Sequence, residues 1–269
     1  MVSESVSPLR QVAGAPEVGA DGERVAAAPG TTVQIVDHAL MVLHAIAEAD
    51  RPRGVRELSR DLMISKSSTQ RILTSLERVG LAVFDEESRR YEIGPAALTL
   101  AWKYAANSDL VSASREIAQS IAATTGETAC VSTLVGDRRV TVYEAESTQP
   151  LRLITGVGRP YSPLQGATGR ALLALLDEGG LERVTAESEE GDTLTRRVAE
   201  ARTAGYAVSR GEWIEGACGV AVPVGVRGGT VAALSIYGPA VRLTDERVAE
   251  LLPSLREGAH QIAIRWRQG

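Results

Sequence analysis

From Val33 onward apolar residues return every three or four positions. Val36, Leu40, Leu43 and Ala47 predict a first helix over about 33–49. The stretch Asp50-Arg51-Pro52-Arg53-Gly54 interrupts it. Val55, Leu58 and Leu62 then predict a short second helix, and Met63-Ile64-Ser65 a tight turn. The Ser65 hydroxyl can accept from a free first-turn amide, so it is placed to cap a third helix. That helix carries the stripe Thr69, Ile72, Leu73, Leu76 and Val79 and stops at Gly80. Residues 81–84 read as a strand, 85–88 as a turn, and 89–93 as the partner strand. Three helices with a tight turn between the second and third, then a hairpin, make a winged helix-turn-helix over 31–94. Pro95 opens a helix over 95–108 with Leu98, Ala101, Trp102 and Ala105, a linker and a candidate self-association contact. Residues 1–30, rich in Ala, Gly, Ser, Val and Pro without a period, are expected to be a disordered tail.

After residue 109 the texture becomes mixed. A helix with Leu110, Ile117 and Ile121 ends at Gly126. Strands are expected at 128–135, 140–145, 151–155, 217–226 and 230–237, the last two joined by Arg227-Gly228-Gly229. Helices are expected at 166–176, 192–204 and 244–266. Strands flanked by helices, with a hairpin inside the sheet, indicate an α+β domain over 109–269.

Charge sharpens the reading of the first domain. The whole chain carries −5. Between residues 51 and 71, however, Arg51, Arg53, Arg56, Arg60, Lys66 and Arg71 are opposed only by Glu57 and Asp61, a local +4. Nucleic-acid binding depends on the face presented rather than on the sum. The third helix turns Lys66, Ser67, Gln70, Arg71, Thr74 and Arg78 away from its apolar stripe, with no acid among them. Gln can bridge adenine and Arg can bridge guanine in the major groove. Candidate DNA contacts are therefore Arg56, Ser65, Lys66, Ser67, Ser68, Gln70, Arg71 and Thr74, with Arg89 and Arg90 on the wing. The partner implied is duplex DNA.

Composition removes several alternatives. At 269 residues, with 44% hydrophobic and 23% charged positions, the chain has the make-up of a two-domain globular protein. It has no apolar run of membrane-spanning length, and the first thirty residues lack a secretory pattern, so no membrane partner and a cytoplasmic location are expected. Two cysteines, Cys130 and Cys218, make no disulfide framework, and His38, His44 and His260 lack metal-ligand spacing. No metal and no cofactor are expected. There is no Ser-His-Asp arrangement, no H-E-x-x-H, no Walker loop and no G-x-G-x-x-G, so an enzyme is not expected. A sensor of thiol oxidation and a DNA-binding protein answering to no small molecule are the alternative readings.

The recognition-helix stretch SKSSTQRILTSLERVGL, the segment PLQGATGRALLALL, and GYAVSRGEWIEGACGVAVPV followed by TVAALSIYGP occur in that order. In this order and in these motifs the chain, over about 31–266, resembles the IclR family of bacterial transcription regulators. Met63 stands where that family commonly has Gly, and Gln165 where it commonly has His. The resemblance implies a dimeric or tetrameric regulator with a GAF-like effector-binding domain, and repression is the expected mode.

The second domain also points to a ligand. Strand side chains alternate, so Ala217, Gly219, Ala221 and Pro223 share one face, as do Val231, Ala233, Ser235 and Tyr237. Small residues on paired strands leave volume for a ligand or for a packed helix. Ser235 and Tyr237 offer hydroxyls, and the Gly166-Ala167-Thr168-Gly169 turn offers free amides and a positive helix end. A small organic acid is the expected effector class. Candidate effector contacts are Gly166, Ala167, Thr168, Ser209, Glu212, Cys218, Gly219, Ala221, Ala233, Ser235 and Tyr237, with Ser209 and Glu212 expected on a covering loop.

Overall fold

The structure is a computed structural model and describes residues 17–18, 24–25, 33–186 and 191–269. The expected disordered tail lies outside the described residues, apart from the two-residue antiparallel strands β1 (Glu17–Val18) and β2 (Arg24–Val25). The chain divides into two compact units, Met1–Tyr104 and Ala105–Gly269.

The first unit contains α1 (Gln34–Ala47), α2 (Val55–Asp61), α3 (Lys66–Arg78) and the wing hairpin β3 (Ala82–Asp85) and β4 (Arg90–Ile93). Its core is Val42, Ile46, Leu58, Leu62, Ile64, Ile72, Leu73, Leu76, Ala82 and Tyr91. The Ser65 hydroxyl accepts from the Ser68 amide at 3.2 Å, the cap expected from sequence. Met63, almost fully exposed, takes the left-handed φ of 54° that bends the chain between α2 and α3. The turn thus demands the conformation that Gly adopts most cheaply, although Met occupies it. Backbone pairing of Arg53 with Tyr91 brings a third segment of chain alongside β4.

One expectation for α1 is corrected. The stripe Val36, Leu40, Leu43 and Ala47 does not seat the helix. Val42 and Ile46 do, while Val36, Leu40 and Ala47 are exposed and Leu43 is half-buried. The helix is apolar on two faces, and periodicity alone does not say which one meets the core.

α4 (Ala96–Asn107) crosses the division between the units and has no buried residue, with Trp102 68% exposed. The second unit is a six-stranded antiparallel sheet ordered β7-β6-β5-β10-β9-β8. Its strands are β5 (Thr128–Val135), β6 (Arg138–Ala145), β7 (Pro160–Tyr161), β8 (Ala207–Arg210), β9 (Ala217–Arg227) and β10 (Thr230–Pro239). α5 (Asp109–Thr125) and α9 (Asp245–Gln268) cover one face, burying Val131, Val220, Val222, Leu234 and Ile236 against Ile117, Leu255 and Ile262. α6 (Gly166–Leu173) and α8 (Gly191–Ala204) cover the other, and α7 (Glu178–Thr185) joins them. This is an α+β, GAF-like arrangement. No helix among the described residues is long and apolar enough to cross a membrane.

The expected strand at 151–155 does not form. At its end the Thr155 amide donates to the Glu144 carboxylate at 2.7 Å, a bond to a side chain instead of a strand ladder. Three short elements went unforeseen: α7, the edge strand β7 and the edge strand β8. Ser209, expected on a loop, lies in β8 opposite Gly219.

Candidate functional site

The first unit presents a cationic helix face. Lys66, Ser67, Gln70, Arg71 and Thr74 are exposed along α3, with Ser65 at its cap and Ser68 half-buried. The two acids of this stretch, Glu57 and Asp61, gather the arginines nearest them, and the net +4 stays on the others. Arg51 donates to Glu57 at 2.6 Å, Arg53 to Asp61 at 2.5 Å, and Arg60 to Asp61 at 3.0 Å. Among the described residues Arg56, Lys66, Arg71 and Arg78 have no carboxylate within ion-pair distance. These are the cations left to meet phosphates or base edges.

The wing arginines divide. Arg89 is exposed at the turn with φ 57°, its guanidinium 5.3 Å from the centre of the Phe84 ring. Arg90 turns back into the domain, donating to the Pro52 carbonyl and to Glu57, both at 3.0 Å. Its charge is therefore committed to joining β4 to α2. Gln70 is also held, because its amide nitrogen donates to the Tyr91 hydroxyl at 3.1 Å. That bond fixes the side chain's orientation on the exposed face.

Glu57 is the acceptor at the centre of this clamp. Burial would raise its carboxyl. Hydrogen bonds from Arg51 and the Gly54 amide, with the charges of Arg53 and Arg51, outweigh burial and bring the pKa down to about 2. A carboxyl depressed in the folded state stabilises fully above its unfolded value near 4.5, and the contribution is lost as pH falls toward 2. Hydrogen exchange in the full chain is therefore expected to show weakening protection of α2 and the wing between those two pH values. Glu57→Gln should lower protection at neutral pH and flatten its change across that window. An unaltered profile in the variant would remove Glu57 as the clamp.

In the second unit the expected effector residues separate into three groups. Ala167, Ala221 and Ala233 are fully buried in one apolar cluster with Ala171, Leu172, Val198 and Val231. The small residues on β9 and β10 do not leave a hole there: they let α6 approach the sheet closely. Gly219 makes room in the same way, since a Cβ there would stand 2.9 Å from the Tyr237 ring. Cys218 lies on the opposite face, in the core under α5 and α9.

The second group is an internal ion pair. Gly166, at φ 78°, opens α6, and its amide donates to Glu212 at 3.0 Å. Arg170 holds the same carboxylate at 2.7 and 3.0 Å and donates to the Val208 carbonyl at 2.6 Å. Burial opposes ionisation of Glu212, but the Arg170 hydrogen bond and charge and the Gly166 amide prevail and lower its pKa. The Gly166 amide, expected to be open to a ligand anion, therefore already holds one supplied by the chain.

The third group is a buried polar floor. The Tyr237 hydroxyl bonds Thr168 Oγ1. Ser235 donates to the Cys130 carbonyl at 3.4 Å, and Ser209 lies against Gly219. Residues absent from the sequence reading complete this floor. Arg139 donates to the Tyr237 hydroxyl at 2.8 Å and stacks 4.8 Å from the centre of the Tyr161 ring. Trp213 meets Tyr161 edge-on at 5.1 Å, and Thr141 bonds Thr155 at 3.1 Å. Strand parity pairs Arg139 with Thr141 on one face of β6, the one sequence signal that could have found it.

Both thiols are poor candidates for redox chemistry. Burial, then the Glu144 charge, pushes Cys130 well up, and burial likewise raises Cys218. The thiolate is the reactive form, so raised values suppress reactivity. Among the described residues no cluster of three His, Cys, Asp or Glu could hold a metal ion.

Comparison with known proteins agrees with this division. Residues 35–86 match the IclR helix-turn-helix domain, and residues 102–264 match the bacterial transcriptional regulator IclR C-terminal domain. The HTH-type transcriptional regulator KdgR of Escherichia coli K12 is 28% identical over 233 residues, covering 82% of this chain and 88% of KdgR. The crystal structure of an IclR transcriptional regulator from Alicyclobacillus acidocaldarius is 28% identical, with a TM-score of 0.75, covering 87% of this chain and 99% of that one. A more distant structure, an IclR homologue from Microbacterium hydrocarbonoxydans complexed with 4-hydroxybenzoate, shares the fold at 19% identity and a TM-score of 0.67, covering 87% of this chain and 100% of that one. The chain belongs to the IclR family of bacterial transcriptional regulators.

Proposed function

We propose that this regulator is a cytoplasmic repressor that binds duplex DNA as a dimer or tetramer and releases it in response to a small organic acid. The observation that carries the DNA reading is the α3 face, where Lys66 and Arg71 stand exposed with no carboxylate partner among the described residues. Arg56 and Arg89 add phosphate contacts beside it, and Ser65, Ser67, Ser68, Gln70 and Thr74 supply short hydrogen-bonding groups. Arg90 acts by holding the wing in place.

Self-association is supported by apolar surface in the first unit. Val36 and Leu40 on α1, and Leu98, Leu100 and Trp102 on α4, are exposed. Exposed apolar residues at helical spacing mark an interaction surface. Two linked recognition helices gain effective concentration on a two-part operator. The organic-acid reading is supported by the polar floor of Thr168, Ser235 and Tyr237, and by a fold that in one distant relative carries 4-hydroxybenzoate.

Selection of bound sequences from a random duplex pool, followed by footprinting and sedimentation, tests the reading. An enriched inverted or near-inverted repeat, protected by a dimer or larger species, is expected. A monomer protecting one half-site, or no enriched sequence, would overturn it.

A further inference from the structure

Arg139 is only 6% exposed, and its guanidinium is incompletely used. Nη1 donates to the Tyr237 hydroxyl, while the Nε nitrogen is buried without a partner. Among the described residues Nη2 makes no hydrogen bond, and no carboxylate lies within ion-pair distance. Glu144, the acid of the same floor, does not serve it. That carboxylate accepts from the Thr155 amide at 2.7 Å, the Thr155 hydroxyl at 2.6 Å and Cys130 at 3.3 Å.

A buried cation without a counter-ion costs several kcal/mol, so folds rarely keep one that has no use. The free Nε and Nη2 lie on the same edge of the guanidinium plane. That edge is the fork that takes the two oxygens of a carboxylate in parallel hydrogen bonds. The Gly166 amide is already satisfied by Glu212, so among the described residues Arg139 is a buried anion receptor of this face that remains unfilled.

We infer that Arg139 is the residue that selects the effector, gripping the carboxylate of an organic monoacid through Nε and Nη2. This deepens the organic-acid reading above and rests on it. One guanidinium matches one carboxylate, and the nearby Glu144 charge disfavours a second. The ring of Tyr161 lies under the Arg139 guanidinium, with Arg159 5.5 Å from the same ring and Trp213 at its edge, and this stacking holds the fork in a fixed orientation. Trp213 lies in the 211–216 loop bounded by Gly211 and Gly216, both at positive φ, and Glu212 of the same loop ties it to α6.

The test uses full-length protein with benzoate and pyruvate as probes and benzamide and pyruvamide as neutral matches. The carboxylates are expected to raise Tm of the wild type, and the amides to leave it unmoved. Arg139→Met should melt no lower than wild type without ligand, because it removes an unpaired buried charge. It should also bind the carboxylate probes about 10- to 100-fold more weakly. Arg139→Lys, which keeps the charge but loses the fork, should fall between them. The inference is overturned if Arg139→Met keeps the carboxylate response, if the amides act as well as the acids, or if neither acid shifts the wild type. Operator binding without ligand is measured on the same proteins. Its loss in the wild type would count against the regulator reading, acids that fail to shift a DNA-binding wild type count against the organic-acid reading as well, and a carboxylate response kept by Arg139→Met counts against Arg139 alone.

Discussion

Arg71→Ala is expected to weaken operator binding by about 1–3 kcal/mol, the range for losing a bidentate contact to a base edge. Arg71 is exposed in the middle of α3, with no carboxylate within ion-pair distance among the described residues, so its donors are free when DNA arrives. If the contact is to a base, discrimination at one operator position relaxes. If it is to a phosphate, affinity falls on all sequences and the salt slope drops by about one unit. Arg90→Ala makes the contrast. Its charge is held by Glu57 and its donors by the Pro52 carbonyl, so its loss should loosen the wing and leave the salt slope nearly unchanged. Titrations at several salt concentrations check both variants. Unchanged binding by Arg71→Ala at every salt concentration would remove it from the interface.

Ala233→Leu is expected to destabilise the second unit by about 1–3 kcal/mol, the usual cost of forcing extra methylenes into a packed core. Ala233 is fully buried on β10 in the cluster that holds Ala167, Ala171 and Ala221. Small side chains on both helix and sheet bring the α6 backbone close, so a leucine there has no volume to enter. Thermal melting without ligand measures the effect, at roughly 2–4 °C per kcal/mol for a domain of this size. DNA binding well below the melting temperature should be retained. A variant that melts like the wild type would reveal unfilled volume behind Ala233 and restore the reading of that face as a pocket.

The contrast between these positions shows how far each kind of reasoning reaches. The helix-turn-helix was legible because its signals are local: a tight turn, a serine cap and a 3.6-residue stripe, all within the span 63–80. The same holds for the long hairpin of β9 and β10 around Gly228-Gly229. The pairing of Arg90 was not legible for the opposite reason, because its acid partner is Glu57, 33 residues away on another element. Whether Ala221 and Ala233 face a void or a helix was not legible, because the same pattern of small side chains serves either, and the position of α6 places them in a buried apolar cluster. β7 has two residues and β8 has four, and such edge strands carry too little pattern to stand out from loops.

What the sequence by itself determined is the class of each domain, the exposed polar and cationic side of α3 and the family. Those rest on periodicity, capping and motif order, which are properties of neighbouring residues. What only the tertiary structure decided is which charges are spent and which are free. Glu57 gathers Arg51, Arg53 and Arg90, Arg170 takes Glu212, and Arg139 is left with one fork unfilled. Electrostatic pairing depends on distances of a few ångströms between residues far apart in the chain, and folding alone sets those distances.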